Sequence, residues 1–492
     1  MKNNPSVFRA AASREIALVW LRRDLRLGDN LVLKTAAGRF KSVLPVFILE
    51  DPSILDIASG GWLERSLENL KKDLVARGSR LILRKGHAFK VLTSLVNETG
   101  AGAVLWDKSF EPAQRKADDV IRKELTRSGI LCDTLNDALL FDPARILNKQ
   151  GTPFKVFTPF WNHCLSLKEP AVPVKLPARL AAPSKWPYSE TMKGLGLGQR
   201  AAWMKKMAPF WKPGARGAAA TLRRFLNGKI ENYPAERDRP ATDGTSKLSP
   251  HLHFGEISAR QIWDEVHKNR AADHGPGVGR ASEAFLRQLV WREFAYYQLF
   301  HFPETVSSPL RKEFSRFKWK KDAQSLRKWQ KGLTGYPLVD AGMRQLWRTG
   351  WMHNRVRMIV ASFLVKDLLI SWQEGAAWFM ETLVDADLAN NTFGWQWVAG
   401  CGADAAPYFR IFNPILQGKK FDPQGDYVRR WVPELSKVPE GFIHTPWQAP
   451  REVLAKAGIR LGKDYPAPIV DHGAARKRAL FVYYRMGKNR GK

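Results

Sequence analysis

The sequence predicts an N-terminal α/β domain built on a doubly wound parallel sheet, followed by a C-terminal domain made almost entirely of helices. Three observations support this fold class. Short apolar runs alternate with amphipathic segments over roughly the first 140 residues, such runs disappear after about residue 218, and helical periodicity dominates from there on. Alternation of strand and helix implies parallel strands joined by right-handed crossovers.

Five apolar runs are predicted to be the strands of the sheet, at residues 16–21, 43–49, 81–83, 103–106 and 130–135. Continuous apolar runs of this length are typical of strands that are buried on both faces. Ligands of such sheets bind at the carboxyl ends of the strands. Those ends carry Arg22, Arg23, Asp24, Glu50, Asp51, Asp107 and Lys108. No Gly-x-Gly-x-x-Gly follows the first run, so the NAD-binding fingerprint is absent.

The periodicity divides the chain into four segments. Residues 15–140 are the predicted α/β domain, and 141–205 are a connector in which prolines interrupt any regular pattern. Residues 206–470 are the predicted helical domain, and 471–492 are a basic tail. The tail holds seven Lys or Arg and no acid from His472 onward. Its composition leaves open whether it adds affinity for a polyanion or is disordered.

Charge and composition restrict the class of partner. The 492 residues include 79 Lys or Arg and 47 Asp or Glu, for a net charge of +32, which favours nucleic acid or another polyanion. The three cysteines form no Cys-x-x-Cys pair, so neither a metal site nor a disulfide framework is expected. No apolar run approaches the ~20 residues of a membrane span. We therefore expect an intracellular protein that does not contact membranes.

Polar residues cluster at three places in the helical part of the chain. Residues 245–249 (TSKLS) precede a helical pattern, where hydroxyls and free backbone N–H groups can hold a phosphate or simply cap a helix. Residues 351–358 place Asn354 and Met358 on one helix face. Asp385 and Asp387 lie among apolar residues and need cationic partners, for which Arg355 and Arg357 are candidates.

In these three clusters and in other segments, the sequence resembles the photolyase/cryptochrome family. The resemblance is greatest to the family's enzymes that repair cyclobutane pyrimidine dimers. The matching segments are LVWLRRDLRLGDN (18–30), YPAERD (233–238), GTSKLSPHLHFGEIS (244–258), LVWREF (289–294), TGYPLVDAGMRQL (334–346), GWMHNRVRM (350–358), DADLANNTFGWQW (385–397) and DAAPYFRIFNP (404–414). They follow the family's order over almost the whole chain. The resemblance implies a deoxyribodipyrimidine photolyase, a carbon–carbon lyase driven by blue light.

The resemblance implies FAD as the cofactor, bound in the helical domain. The residues matching its phosphate ligands are Tyr233, Thr245, Ser246, Lys247, Leu248 and Ser249, and those matching its adenine and flavin pocket are Phe285, Gln288, Arg292, Trp351, Asn354, Arg357, Asp385, Ala386, Asp387 and Asn391. Arg357 is expected to pair with Asp385. Asn391 is expected to face flavin N5, where plant cryptochromes have Asp, so Asn favours a repair enzyme.

The resemblance also implies that the damaged bases are flipped out of the duplex, because an active site cannot reach bases that are stacked inside it. Trp291 and Trp397 match the aromatic walls of the lesion pocket, and Asn354 and Met358 match groups that touch the dimer. The related enzymes that repair (6-4) photoproducts have His in place of Met358, which favours the cyclobutane dimer. Gln288 points the other way, because the cyclobutane enzymes usually have Glu there and the (6-4) enzymes have Gln.

Further matches concern electron transfer and DNA. Trp395, Trp372 and Trp319 match the family's electron-transfer chain from flavin to surface. DNA containing pyrimidine dimers is the expected partner, read mainly through its phosphates. The matching contacts are Arg237, Arg355, Arg410 and Gln417, with Lys420 in the same loop. We expect a monomer, cytoplasmic in a bacterium and nuclear or organellar in a eukaryote.

Glu111 matches a residue that holds a folate antenna in some family members. The Cys-Lys pair that also touches the folate in those members is missing near residues 303–314, which counts against a folate. On the match at Glu111, 5,10-methenyltetrahydrofolate is nevertheless favoured over 8-hydroxy-deazaflavin, and the absence of any antenna is a further alternative. Three other functions stay open: repair of (6-4) photoproducts, signalling as a blue-light cryptochrome, and nucleic-acid binding without repair. Signalling cryptochromes commonly carry a long C-terminal extension, whereas a short basic tail follows here.

Overall fold

The computed structural model describes residues 13–50, 57–197, 206–272, 276–405 and 409–488. The chain divides into two compact units. The first unit consists of Met1–Thr152, Trp161–Gly228 and Ser246–Glu293, and the second of Pro153–Phe160, Lys229–Thr245 and Phe294–Lys492. Asp51, the end of the connector at 198–205 and the last four residues of the basic tail lie outside the described residues. The domain boundaries drawn from the sequence at 140, 205 and 470 stay predictions.

The first unit contains a five-stranded parallel sheet, as the apolar runs predict. Its strands are β1 (Ser13–Leu21), β2 (Ser42–Leu49), β3 (Ile82–Lys85), β4 (Ala101–Asp107) and β5 (Leu131–Leu135). Their order is β3-β2-β1-β4-β5, with every neighbouring pair parallel. The order changes direction beside β1, which is the point where ligands of doubly wound sheets bind. The predicted α/β fold class is confirmed.

Strands β2 and β4 are almost entirely buried because their side chains are apolar on both faces. The prediction that 130–135 is also a buried strand is wrong for β5, which carries the polar residues Asp133 and Thr134 and has no buried residue. In β4 every residue is buried, and in β1 the register pairs Trp20 with Val46 on one side and Trp106 on the other. The rings of Trp20 and Trp106 lie 6.0 Å apart within the core. The helices of this unit are α1 (Leu31–Arg39), α2 (Ile57–Val75), α3 (Ala88–Thr99), α4 (Pro112–Arg127), α6 (Met192–Leu195), α7 (Ala215–Leu226), α9 (Ser249–His253) and α10 (Ala259–Ala272).

A buried ionic network joins Arg260, at the start of α10, to charged residues at the carboxyl edge of the sheet. Arg260 donates to Asp29 (3.0 Å) and to Asp137 (2.5 Å), and Asp137 also accepts from Arg26 (2.5 Å). Gly255 has a φ of +63°, and a Cβ there would lie 1.8 Å from the backbone oxygen of Arg23. Only glycine allows this close approach. Arg26, Asp29 and Asp137, which follow strands β1 and β5, are therefore paired within the fold.

The second unit is helical, as predicted. Its helices are α5 (Phe157–Ser166, part of which belongs to the first unit), α8 (Tyr233–Glu236), α12 (Ala323–Gln330), α13 (Pro337–Thr349), α14 (Asn354–Ser362), α15 (Trp372–Thr382), α16 (Leu388–Ala399), α17 (Pro414–Phe421), α18 (Asp426–Trp431), α19 (Arg451–Ala457) and α20 (His472–Lys488). The long helix α11 (Pro276–His301) has residues in both units. A π-helical turn, Phe363–Asp367, continues α14.

Two segments that look irregular in sequence contain helices. Helix α5 lies in the segment assigned to the connector, and α20 occupies most of the basic tail. Helix α20 is fixed at its start, where His472 bonds to Asp367 (2.5 Å), and Ala475 and Ala479 are fully buried. The part of the tail that the structure describes is thus a packed helix rather than a disordered segment. None of the helices in the described ranges has the length and apolar run required to cross a bilayer.

Candidate active site

An arginine–carboxylate pair lies in the second unit, at the start of α14. The guanidinium Nη2 of Arg357 donates to both oxygens of Asp385, at 3.1 and 2.9 Å, and its Nε donates to the backbone oxygen of Met352 (2.8 Å). The same group lies 5.9 Å from the centre of the Trp351 ring. The Asp385 side chain is 4% exposed and that of Arg357 23% exposed. The pair therefore presents a cation to a partly open position, with its counter-charge buried beneath it.

Asp387 and Asn391 lie at the start of α16 and have different hydrogen-bonding roles. Asp387 caps the helix by accepting from the backbone N–H of Asn390 (2.8 Å), and its other oxygen accepts from the Tyr296 hydroxyl. The amide Nδ2 of Asn391 donates to the backbone oxygen of Ala376 (3.0 Å). This orientation leaves the Asn391 carbonyl oxygen as an acceptor, with no donor to it among the described residues. Its half-buried position suits a ligand that donates an N–H.

The loop that matches the phosphate ligands follows a tight contact in the second unit. A Cβ on Gly244 would lie 2.5 Å from the Cβ of Glu236, so glycine lets the loop approach α8, which begins at Tyr233. Tyr233 is 7% exposed, and Thr245 is half-buried. Further along, Lys247 has a φ of +53°, which is uncommon for a residue with a side chain. Ser246 Oγ accepts from the Leu248 N–H (3.4 Å), and Ser249 is exposed at the start of α9.

Helix α11 carries the predicted residues Phe285, Gln288, Trp291 and Arg292. Their spacing of three and four places them on one face of the helix. Phe285 is buried against Phe225 (ring centres 4.6 Å apart), whereas Gln288 and Trp291 are half-buried. The guanidinium of Arg292 donates to the backbone oxygen of Ala138 (3.1 Å) and to Glu293 (3.3 Å). Arg292 is thus partly engaged within the first unit.

The predicted DNA contacts of the second unit lie on several elements. Arg355 pairs with Asp238 (2.8 Å) and lies 4.4 Å from the centre of the Phe421 ring. Arg355 was a candidate partner for the carboxylates at 385 and 387, and the structure assigns it elsewhere. Arg237 lies 5.4 Å from the ring centre of Tyr233, where it is partly exposed.

The remaining lesion and DNA residues of this unit are partly or fully accessible. Asn354 and Arg410 are exposed, and Met358, Trp397 and Gln417 are half-buried. The indole N–H of Trp397 donates to the backbone oxygen of Asp404 (3.0 Å), which fixes the ring. Lys420 is exposed at the end of α17. Side chains that are to meet a macromolecular substrate need this accessibility.

The structure brings the elements that carry the three predicted electron-transfer tryptophans together. The backbone N–H of Lys320, next to Trp319, donates to the oxygen of Leu369 (2.7 Å), three residues before Trp372. One turn into α15, a Cβ on Gly375 would lie 2.0 Å from the Trp395 ring. Trp372 and Trp395 are each 2% exposed, and Trp319 is half-buried.

Trp395 is buried without a hydrogen-bond partner for its indole N–H in the described part of the chain, as are Trp20 and Trp106 in the core of the sheet. A buried indole N–H usually has a hydrogen-bond partner, whereas Nε1 of Trp395 has none among the described residues. The ring lies edge-on to Phe379, with centres 5.0 Å apart, and to Trp329 at 6.2 Å. Because the neighbours are apolar, hydrogen bonding does not explain why this position carries a tryptophan.

Glu111, the predicted antenna ligand, lies in the first unit directly before α4. Its carboxylate accepts from the guanidinium of Arg23, and its side chain is 23% exposed. The carboxylate can still accept a second donor, because each of its oxygens has more than one acceptor site. Among the described residues, no group of three or more His, Cys, Asp and Glu is arranged to hold a metal ion.

His353 and Lys366 are two of the buried titratable residues that were not singled out from the sequence. His353 is 2% exposed and accepts from the Arg355 N–H (3.3 Å), while its Nε2 is buried without a partner among the described residues. Burial lowers the pKa of His353 to about 4, so the ring is neutral. Lys366 is 1% exposed, and burial lowers its pKa to about 7. Lys366 lies within a largely apolar run, residues 359–370, which could have indicated its burial, whereas the sequence around His353 carries no such signal.

The second unit fits the isoalloxazine of FAD at two points. Asn391 offers an uncharged oxygen acceptor, and Arg357 offers a cation whose counter-ion is Asp385. A neutral acceptor and a nearby cation suit a ring that carries negative charge when reduced. The close approach at Gly244 brings backbone near Tyr233, which suits a phosphate. The residues present are therefore compatible with the cofactor.

Comparisons with known proteins agree with this chemistry. A family model described as DNA photolyase matches residues 17–178, and one described as the FAD binding domain of DNA photolyase matches residues 285–485. A deoxyribodipyrimidine photo-lyase of Agrobacterium fabrum is 47% identical over 96% of this chain and 98% of its own length. Cryptochrome-2 of Arabidopsis thaliana is 38% identical, over 94% of this chain and 77% of its own.

The solved structures include a similar chain. The crystal structure of a bacterial class III photolyase from Agrobacterium tumefaciens matches with a TM-score of 0.93 and 46% identity, covering 97% of this chain and 99% of that one. The similarity thus extends over both units rather than one motif. On this evidence of sequence and fold, the chain belongs to the DNA photolyase family and contains that family's FAD-binding domain.

Proposed function

We propose that this protein uses light to split cyclobutane pyrimidine dimers in DNA, with reduced FAD as its cofactor. The observation that carries the proposal is the Asn391 amide, which donates to Ala376 and keeps its carbonyl oxygen as a neutral acceptor. An Asp at this position, as in plant cryptochromes, would add negative charge beside an anionic flavin. The similarity to a deoxyribodipyrimidine photo-lyase over nearly the whole of both chains supports the same function.

The chain's own residues bind and position, while FAD, when bound, supplies the light-driven electron that opens the dimer and later returns. Arg357, held by Asp385, favours the negatively charged form of the flavin by its own charge. Asn391 accepts a hydrogen bond at flavin N5. Tyr233 and the loop 245–249 hold the phosphates. Phe285, Gln288, Arg292, Trp351 and Asn354 complete the proposed contacts with the cofactor.

We propose that the lesion leaves the duplex and stacks on aromatic side chains. Trp291 and Trp397 are the proposed walls, and stacking on such rings contributes about 1–3 kcal/mol per base. Asn354 and Met358 contact the dimer. Met358 offers no proton, so the side chain suits a lesion that is opened by electron transfer alone. Arg237, Arg355, Arg410 and Gln417 contact the phosphates on either side of the lesion.

A second candidate function, repair of (6-4) photoproducts, is favoured only by Gln288. The test is to illuminate the chemically reduced holoprotein with duplexes that carry one cyclobutane thymine dimer or one (6-4) photoproduct. We expect restored thymines from the first duplex in the light and none in the dark. Repair of the second duplex alone would reverse the assignment. Binding of damaged DNA with no light-dependent product from either would instead favour a cryptochrome or a non-repairing flavoprotein.

We propose a folate antenna, 5,10-methenyltetrahydrofolate, at Glu111. The support is a carboxylate at the carboxyl edge of a parallel sheet, which Arg23 holds in place. Mass spectrometry of the small molecules released from purified protein would identify a folate, a deazaflavin or neither. Loss of the folate in a Glu111→Gln variant that keeps its FAD would support the assignment.

We also propose that the protein acts in the cytoplasm and as a monomer. The bacterial origin of its similar photolyases supports the location. Sedimentation of the holoprotein with and without damaged DNA would test the monomer, and a concentration-dependent dimer would contradict it.

A further inference from the structure

Lys366 has an unusual environment for a lysine. It lies in the π-helical turn Phe363–Asp367 and is 1% exposed, whereas lysine is almost never fully buried without a partner. Its Nζ donates to the backbone oxygen of Arg410 (2.8 Å) and lies 3.7 Å from the centre of the Phe409 ring. The adjacent carboxylate of Asp367 is bonded to His472 instead (2.5 Å). The ammonium group is therefore satisfied chiefly by residues 409–410.

A buried ammonium group destabilises a fold relative to an apolar side chain of similar volume. A methionine would fill the same space without this cost. The amine must therefore be explained by what it contacts rather than by packing. Both of its contacts fall on the segment that includes Arg410, whose side chain is exposed and is one of the proposed phosphate contacts.

The same face of the helix holds this segment at a second point. Ser362 and Lys366 are four residues apart, and Ser362 Oγ accepts from the backbone N–H of Phe412 (3.2 Å). Phe409 is stacked on Tyr483, with ring centres 4.6 Å apart. Residues 409–412 thus run along one face of α14 and its π-helical end. Lys366 therefore fixes the backbone of Arg410 between Phe409, which is stacked on Tyr483, and Phe412, which is bonded to Ser362.

We propose that Lys366 is a positioning residue that holds Arg410 where it can contact a DNA phosphate beside the lesion. The inference rests on the proposed function, because it requires that Arg410 contacts DNA. Lysine suits the task since its long side chain crosses the helix–segment contact, and its side-chain nitrogen donates to the carbonyl oxygen while lying over the ring. Methionine has a similar length but neither the donor nor the charge.

The test compares Lys366→Met, Arg410→Ala and the double variant, as holoproteins in the dark. Each would be titrated with a duplex carrying one cyclobutane thymine dimer at several salt concentrations. We expect each single variant to bind several-fold to about tenfold more weakly, with the salt slope reduced by about one. The double variant should bind no more weakly than Arg410→Ala, because the two residues act through one contact.

Two further measurements separate positioning from general damage to the fold. Leu364→Met is the matched control, since Leu364 is fully buried in the same turn and its side chain has no bond to Arg410. It should leave affinity and salt slope unchanged. Lys366→Met should also keep the wild-type repair rate at saturating DNA, because only binding is affected. A fold that is merely destabilised would not change the salt slope.

The outcomes are distinct. If Arg410→Ala binds more weakly but Lys366→Met keeps the wild-type affinity and salt slope, the role of Lys366 is wrong and the proposed function stands. Additive losses of affinity in the double variant would have the same meaning. No effect of Arg410→Ala would overturn both the proposed phosphate contact and the role of Lys366. If Lys366→Met does not fold, Lys366→Leu replaces it, since Leu also has no donor for the Arg410 oxygen, and the same losses are expected.

Discussion

Gln288 is the one predicted lesion contact whose side chain favours the (6-4) photoproduct over the cyclobutane dimer. Replacing it with Glu should raise the efficiency of cyclobutane dimer repair, because a protonated carboxyl group can donate an acidic hydrogen bond to the dimer while the dimer carries the extra electron. The measurement is the quantum yield of repair in chemically reduced protein. The same variant assayed on a (6-4) photoproduct is the control. An unchanged yield on the thymine dimer would argue against a role for this position in lesion chemistry.

Trp319 is the half-buried member of the proposed electron-transfer chain. A Trp319→Phe variant should lose most of its light-driven reduction of oxidised FAD, because phenylalanine is much harder to oxidise than tryptophan. Repair by chemically reduced protein should be unaffected. Absorbance of the flavin during illumination with an external donor provides the measurement.

Trp263 offers a matched control for that experiment. It is half-buried in α10, stacked on His267 with ring centres 5.1 Å apart, and it is not one of the three proposed tryptophans. Trp263→Phe should photoreduce at the wild-type rate. Equal rates in the Trp319 and Trp263 variants would contradict the assigned path.

At the scale of elements, Glu293 links helix α11 to the start of the connector. Its Oε2 accepts from the N–H groups of Leu140 (2.8 Å) and Phe141 (3.3 Å), and the side chain is 2% exposed. Burial raises the pKa of Glu293 to about 7, whereas a glutamate in the unfolded chain has its ordinary pKa of 4.5. Between these two values the folded protein binds the proton and the unfolded chain does not.

The sign of the resulting pH dependence follows directly. Where the folded state binds more protons, stability falls as pH rises. We expect the stability that the protonated Glu293 contributes to be lost as the pH rises from about 4.5 to about 7. The free energy of unfolding should fall by on the order of 3 kcal/mol in total. Glu293→Gln should remove this part of the dependence while keeping an oxygen acceptor for the two N–H groups. Thermal unfolding of both proteins over this pH range tests it, and parallel curves would contradict it.

At the scale of the whole molecule, the net charge of +32 predicts binding dominated by phosphate contacts. Three arginine–phosphate contacts alone give a log–log salt slope of about −3 for duplex DNA. Raising salt from about 50 to about 200 mM should then weaken binding about 40-fold or more. Titration of damaged and undamaged duplexes is the measurement. Damaged and undamaged duplexes should show similar salt slopes, because the lesion is recognised through its bases. Affinity that does not change with salt would contradict binding through phosphate contacts.

Several features could be predicted from the sequence because they depend on residues close in the chain or on recognisable motifs. Buried strands such as 103–106 are continuous apolar runs. The helical spacing of Asn354 and Met358 places them on one face, and the eight ordered segments indicate the family. Helix α20 was not predictable, since its composition is basic and its stability comes from contacts such as that between His472 and Asp367.

The sequence by itself determined the α/β and helical parts, the family and the residue types offered to FAD and DNA. Only the tertiary structure decided which charges meet, because partners such as Arg355 and Asp238 are far apart in the chain. It also decided that Lys366 is buried beneath Phe409. The burial of a side chain and the pairing of two charges depend on which residues come close in the folded chain and on how much water is lost around them. The spacing of residues within one segment does not determine either.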